Sequence, residues 1–399
     1  MVVVAGIIFL PICISIIVSF HEYGHYSVAR LFNTRIERFS VGFGKILLRR
    51  YDKRGVEWAL SALPLGGYVK FAGDDNIASM APSREELDAA REAITEREGA
   101  AAVKEYFHFK PLWQRFLIIL AGPAFNFILA IGIFSLIFGT LGETIGSARI
   151  DAVRPNTPAA AAGLKPGDVI KSINGKTVDS GTDVQRMIAL NSNTPTRINV
   201  DRGSQSLTIV ATPLRGTIGK GPGGEAVTGG YLGIQLTDKF THRQYNPITA
   251  IGRGARETWV VVDTNLTYIG RIFSGKENGD QLTGVIGMAK TAGDMAADVA
   301  AQKETVLEKS LDLMLRYVQL VAYISIGVGF VNLLPVPMLD GGHLAFYLIQ
   351  SVTRKPVSAR IQTAAYPIAI ALIIGLMLFA GWNDINHAGL VQYLSHLFS

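Results

Sequence analysis

The chain has 399 residues, 49% hydrophobic and only 18% charged, with a mean hydropathy of +0.28. Soluble globular proteins carry about 25% charged residues, so the composition excludes an ordinary soluble domain and points to a membrane protein. The net charge of +6 comes without any basic run interleaved with aromatics, which excludes a nucleic-acid partner.

Four windows lack Asp, Glu, Lys and Arg: Met1–Phe20, Phe116–Gly142, Tyr317–Leu339 and Ile361–Asn383. Each is long enough to cross a hydrocarbon core, which takes about 20 residues. The first has no basic leader and no small-residue cleavage site, so it reads as mature helix rather than signal peptide. It runs directly into "HEYGH", and residues 1–31 are expected to form the first span. On a helix, His21 and His25 share a face and can offer two imidazoles to one ion, with Glu22 close enough to polarise a water. Ionisable groups at membrane depth are costly and functional by default. Cys13 is the single cysteine, so no intrachain disulfide forms.

Residues 32–111 form a loop that opens basic: between Arg30 and Arg54, Arg30, Arg35, Arg38, Lys45, Arg49, Arg50, Lys53 and Arg54 stand against Glu37 and Asp52. The short connection with Arg354, Lys355 and Arg360 is also basic. The positive-inside rule makes both cytoplasmic, which puts the amino terminus and the segment between the second and third spans outside. Within the loop, "SVGFGKILL" and "VEWALSALPLGGYVKF" are strand-like and glycine-punctuated, a hairpin over 41–71. Residues 83–105 are charged and alanine-rich, a helix with a solvated face.

The second span, 112–142, contains "AGPAFNFILA" with Asn126. After it, "IDAVRPNTPAAAAGLKPGDVIKSINGKTV" has a turn at Lys165–Asp168 and an Asn174-Gly175 hairpin signal. Thr182 and Gln185 suggest a capping box opening a helix through Leu190. Two strand-like runs and "GGYLGIQL" follow. This order, over 146–237, resembles a bacterial circularly permuted PDZ domain, an α+β fold, with Tyr231, Leu232, Gly233 and Ile234 corresponding to its carboxylate-binding loop. In the linker 238–310, Ile251, Trp259, Val262, Leu266 and Ile269 recur at near-helical spacing, an amphipathic helix that lies on a membrane surface or packs on the PDZ-like domain.

The third span, 311–343, ends in "NLLPVPMLDGGH". A zinc hydrolase needs three protein ligands and an open position. Asp340 is the expected third ligand, at the end of a helix running in the same direction as the first, with His343 the competitor. Pro335 and Pro337 break helical geometry there. A fourth span covers 361–383.

HEYGH, AGPAFNFILA and GFVNLLPVPMLDGG, with a PDZ-like segment between the last two, together resemble the bacterial site-2 protease family of intramembrane zinc metalloproteases, RseP type. The resemblance implies a polytopic four-span α-helical membrane protein with a membrane-re-entrant β-hairpin and a periplasmic PDZ-like domain. It implies one Zn²⁺ on His21, His25 and Asp340, Glu22 as general base, and Asn332 beside the scissile peptide. Asn126 contacts substrate or glues helices together. Implied partners are the bilayer and single-span membrane proteins, such as an anti-sigma factor already trimmed by a site-1 cleavage, or signal-peptide remnants. The implied location is the bacterial inner membrane, with both termini periplasmic and the site near the cytoplasmic face. One PDZ-like segment is found where many relatives carry two. The alternative is a non-proteolytic membrane-anchored PDZ adaptor that binds protein C-termini.

Overall fold

A computed structural model describes residues 2–73, 84–220, 226–280, 282–355 and 357–387. The chain opens with a 30-residue helix, α1 (Val2–Leu31), which has no charged residue before Glu22. Two long strands follow, β1 (Ile36–Tyr51) and β2 (Glu57–Phe71). The hairpin begins at Ile36, before the expected position 41, because Ile36, Phe39 and Phe71 bury themselves with Tyr26 and Ala29 of α1.

Neither strand is straight. β1 bends at Gly42 and Gly44 and β2 at Gly66, all at positive φ (84°, 86° and 103°), a conformation that glycine adopts without steric penalty. Each strand therefore contributes two segments. Ile36–Val41 lies between Gly67–Phe71 on one side and Glu57–Leu60 on the other, and Ile46–Tyr51 pairs with the far side of Glu57–Ser61. Among the described residues the sheet is left with two open edges, Gly67–Phe71 and Ile46–Tyr51. Helix α2 (Arg84–Glu98) buries Ile94 against Ala72, Val103 and Tyr106. Helix α3 (Leu112–Leu141) has Pro123 inside it.

Next comes a β-rich unit with a core of its own. Its strands are β3 (Glu143–Gly146), β4 (Ile150–Val153), β5 (Val169–Ile173), β6 (Lys176–Thr177), β7 (Thr196–Arg202), β8 (Gln205–Ala211), β9 (Leu214–Lys220), β10 (Ala226–Tyr231), β11 (Ile234–Leu236) and β12 (Phe240–Arg243). The largest sheet has the order β6-β5-β7-β8, and β9 pairs with β10, β4 with β11, and β3 with β12. The helices α4 (Pro158–Ala161) and α5 (Gly181–Ala189) complete it. Ile150, Ile170, Ile173, Val184, Ile198, Val200 and Leu232 fill the core. Asn174 and Gly175 both have positive φ (51° and 80°), the conformation a two-residue type I′ hairpin requires. The cap of α5 is Ser180 rather than Thr182: the Ser180 hydroxyl accepts from the Asp183 N–H at 3.0 Å, so the helix starts two residues earlier than the Thr182–Gln185 pattern suggests. Asp168 is fully buried and accepts from Arg202 at 2.7 and 2.8 Å; these bonds hold its carboxyl below the usual range.

Helix α6 (Pro247–Phe273) belongs to the same unit. Its charged residues hold it to the strands. Arg253 pairs with Glu143 at 2.6 Å, Arg256 with Asp179, and Lys176 with Asp263 at 2.5 Å, while Arg271 donates to the Ser192 carbonyl at 2.7 Å. Ile248, Ile251, Trp259, Leu266 and Phe273 are exposed at helical spacing.

Helix α7 (Val285–Ala301) returns to the helical unit and packs along α1. It occupies part of the stretch expected as linker. Helix α8 (Val306–Asn332) opens with a Thr305–Glu308 capping box, and α9 (Asp340–Thr353) and α10 (Ala359–His387) follow. Three described helical stretches are long and apolar enough to cross a membrane: 112–141, 306–332 and 364–386. The expected third span, 311–343, is broken: α8 stops at Asn332, and Pro335 and Pro337, which lack N–H donors, lie in the loop before α9.

Candidate metal centre

His21 and His25 lie four residues apart on α1 and are both buried, at 6% and 7% exposure. Their rings meet edge to face with centroids 4.9 Å apart, and the two Nε2 atoms are separated by 3.2 Å. Asp340 Oδ2 lies 2.9 Å from His21 Nε2 and 3.6 Å from His25 Nε2. These three are a group whose donor atoms could hold a metal ion. His343, one turn further along α9, is outside that group.

Asp340 does not sit on the third span as expected. It is the first residue of α9, and the loop 333–339 folds back over that helix start. A Cβ on Gly341 would lie 2.2 Å from the Leu334 carbonyl oxygen, and one on Gly342 would lie 2.4 Å from that of Val336. Both glycines therefore permit the close approach that turns the carboxylate toward α1.

Helix α3 supplies the back wall. The His25 Nδ1 is 2.8 Å from the Ile118 carbonyl, which only accepts, so Nδ1 carries the proton and Nε2 presents a lone pair. Asn126 is fully buried with its amide 3.2 Å from His21 Nδ1. Its Oδ1 has no hydrogen-bond partner among the described residues. With the amide turned by half a rotation, that oxygen accepts from Nδ1–H and leaves His21 Nε2 free to ligate; the oxygen and nitrogen ends of an amide are distinguished only by such networks. The Ser325 hydroxyl of α8 donates to the Asn126 backbone carbonyl at 2.9 Å.

The donor set fits zinc. Ligands at about 2.0–2.1 Å from a tetrahedral ion lie roughly 3.3 Å from one another, and the three observed separations are 2.9, 3.2 and 3.6 Å. Asp340 Oδ2 is buried close to both imidazoles and has no hydrogen-bond partner among the described residues. An orphaned carboxylate oxygen facing two imidazole nitrogens is explained by a cation held between them.

Glu22, beside His21, accepts a hydrogen bond from the Val69 N–H at 3.1 Å. Val69 lies on the open Gly67–Phe71 edge of the hairpin sheet, so that edge and the carboxylate meet. Asn332 ends α8, half-buried, and makes no side-chain hydrogen bond among the described residues. Tyr231, Leu232, Gly233 and Ile234 belong to the separate β-rich unit: Leu232 is in its core, and a Cβ on Gly233, at φ 83°, would strike Thr157 at 2.4 Å.

Sequence reasoning missed Gly122. A Cβ there would lie 2.3 Å from His25 Nε2 and 2.8 Å from His21 Nε2. The signal was present, since Gly122 precedes Asn126 by four residues and so shares its helix face. It also missed the Val69 amide, for which a non-local contact leaves no sequence signal.

The chain matches the model of peptidase family M50 over residues 9–376. It is 41% identical over 386 residues to "Metalloprotease MmpA" of Caulobacter vibrioides, covering 97% of this chain and 96% of that one. It is 38% identical over 377 residues to "Putative zinc metalloprotease Atu1380" of Agrobacterium fabrum, covering 94% and 93%. A Rhizobium meliloti protein with the same style of name, R01501, is 35% identical over 376 residues, covering 94% of each. The chain therefore belongs to peptidase family M50, the site-2 proteases, and is a zinc-dependent membrane metalloprotease.

Proposed function

We propose that the protein cleaves transmembrane segments of single-span membrane proteins, with zinc held by His21, His25 and Asp340 and with Glu22 as general base. The observation that carries this reading is the convergence of three buried donor atoms at the end of a helix that is uncharged through Phe20. In this reading α1 is a fourth span beside the three apolar stretches, the basic loops are cytoplasmic, and the site lies near that face of the bacterial inner membrane.

Zinc bound there supplies Lewis-acid polarisation and lowers the pKa of a coordinated water. Glu22 takes a proton from the attacking water and returns it to the leaving amine. The Val69 N–H holds the Glu22 carboxylate toward the hairpin, and Asn126 keeps the His21 ring in its ligating orientation. A helical substrate must unwind before water reaches its carbonyl. The open Gly67–Phe71 edge offers an unwound segment strand pairing at the carboxylate. Asn332 is the candidate donor to the developing oxyanion.

The β-rich unit is read as a periplasmic PDZ-like domain that selects or admits substrates. The Tyr231–Ile234 turn, where β10 passes into β11, is the candidate loop for capture of a chain terminus. The exposed apolar stripe of α6 supports its lying on the outer membrane surface. By family resemblance, substrates would be anti-sigma factors trimmed by a first protease, or signal-peptide remnants, as in regulated intramembrane proteolysis.

The test is reconstitution with a model single-span substrate. Wild type should cleave; Glu22→Gln should keep zinc and lose turnover; Asp340→Ala should lose zinc. Wild-type turnover by Glu22→Gln would reassign the base, and full zinc content in Asp340→Ala would move the third ligand elsewhere.

A further inference from the structure

The hairpin carries a charge pattern that proteolysis does not use. Along β1 both faces change from apolar to basic after Leu48, with one exposed lysine, Lys45, standing at the apolar end. Phe43, Leu47 and Leu48 are exposed at 45%, 59% and 68%, and then Arg49, Arg50, Lys53 and Arg54 are exposed in turn. On the partner strand, Leu60 lies opposite Leu48 and the aromatic Trp58 lies opposite Arg50. Aromatic side chains at the boundary between an apolar and a basic zone mark a membrane interface.

None of these four basic side chains forms an ion pair with a described residue. The acids beside them are engaged elsewhere: Asp52 with Arg30 at 2.5 Å and Glu57 with Arg38 at 2.7 Å. Two contacts fix the pattern against α1. The Ser15 hydroxyl donates to the Pro64 carbonyl at the apolar end, and the Arg30–Asp52 pair lies at the basic end. Along a helix rising 1.5 Å per residue, Ser15 and Arg30 are about 22 Å apart. The hairpin's apolar end thus lies beside the uncharged part of α1 and its basic end beside the polar part.

We infer that Arg49, Arg50, Lys53 and Arg54 form a collar that binds the phosphate headgroups of anionic phospholipids. Collar binding holds the hairpin at its depth and so holds the Val69 amide against Glu22. This rests on the membrane reading of the chain given above. The occupant is a lipid leaflet because the exposed leucines adjoin the collar: an acidic protein or a nucleic acid would satisfy the charges and leave Leu47 and Leu48 in water.

The experiment uses the full chain in nanodiscs of phosphatidylcholine with or without phosphatidylglycerol. It compares wild type, R49Q/R50Q/K53Q/R54Q, and the charge-conserving R49K/R50K/K53R/R54K. Native mass spectrometry reads the retained lipid, and cleavage of a single-span substrate reads the rate. A basic side chain near an anionic surface is worth about fivefold, so the glutamine variant should lose on the order of tenfold or more of the wild-type preference for phosphatidylglycerol, and the charge-conserving variant should keep it. Phosphatidylglycerol should raise the wild-type rate several-fold and leave the glutamine variant's rate unchanged, with equal rates in phosphatidylcholine. Equal retention by wild type and the glutamine variant overturns the collar. A wild-type rate indifferent to phosphatidylglycerol overturns its coupling to Glu22. Selective retention with no cleavage in any disc upholds the collar and counts against the proteolytic reading alone.

Discussion

Replacing Gly122 by alanine tests the metal centre without touching a donor. The added methyl would stand 2.3 Å from His25 Nε2, 2.4 Å from Cε1 of the same ring and 2.8 Å from His21 Nε2. Ordinary contact begins near 3.4 Å, so the His25 ring must retreat by about 1 Å or the helices must part. Parting is resisted, because α1 already approaches α3 at Gly24, where a Cβ would be 2.3 Å from the Ala121 carbonyl oxygen. Overpacking of this kind costs about 1–3 kcal/mol, disturbed ligand support weakens metal binding by roughly 10–100-fold, and a shift of about 1 Å in a reacting group can cost on the order of 100-fold in rate. Gly132→Ala in the same helix is the control, since nothing lies within 4 Å of its Cβ position. Zinc per chain after competition with a graded chelator, together with substrate cleavage, reads both. Gly122→Ala should lose zinc at chelator levels that Gly132→Ala and wild type withstand. Wild-type zinc affinity and rate in Gly122→Ala would refute the placement of the two imidazoles against α3.

Asn126→Ala should keep the fold and lower zinc affinity by about 10–100-fold, the usual cost of removing a group that orients a ligand; unchanged affinity in the same chelator titration would leave Asn126 as helix glue. In the β-rich unit, the Asp168 carboxyl is held below its free range by Arg202, so its contribution is complete above the unfolded value of about 4 and is lost as pH falls through the lower folded value. Hydrogen-exchange protection over 150–211, corrected for intrinsic rate, should therefore drop in acid for wild type and already be reduced at neutral pH in Asp168→Asn; equal neutral protection would discount the pair.

The parts of the site set by local geometry were legible in the sequence. His21, Glu22 and His25 follow from helical spacing; away from the site, the Asn174-Gly175 turn follows from its own chemistry. What depended on packing was not. Asp340 was identifiable as an acid after a broken apolar run, but where α8 stops depends on how residues 333–339 fold over the start of α9. The glycines of the hairpin were visible, yet nothing local says that Gly42, Gly44 and Gly66 divide two strands into four paired segments, because pairing is non-local. The periodicity of α6 was plain, whereas its attachment through Arg253, Arg256 and Asp263 required partners up to 110 residues away.

The apolar helices carry as much of the proposed site as the charged residues do. α1 brings two candidate donors, α9 brings one, and α3 brings none, only an amide, a carbonyl and a space. That space exists because Gly122 has no side chain, and it is held in register because Gly24 lets α1 reach α3 and Gly329 lets α8 reach it. A Cβ on Gly329 would lie 3.0 Å from that of Asn126 and 3.2 Å from the Pro123 carbonyl oxygen. In a bilayer, where apolar surface gives helices little reason to prefer one another over lipid, such small residues set how closely backbones approach. In the proposed zinc site these close approaches bring the donor-bearing helices together, so zinc affinity should report helix packing. Substitutions at Gly24, Gly122 and Gly329 should therefore weaken metal binding even though none of these residues can coordinate an ion.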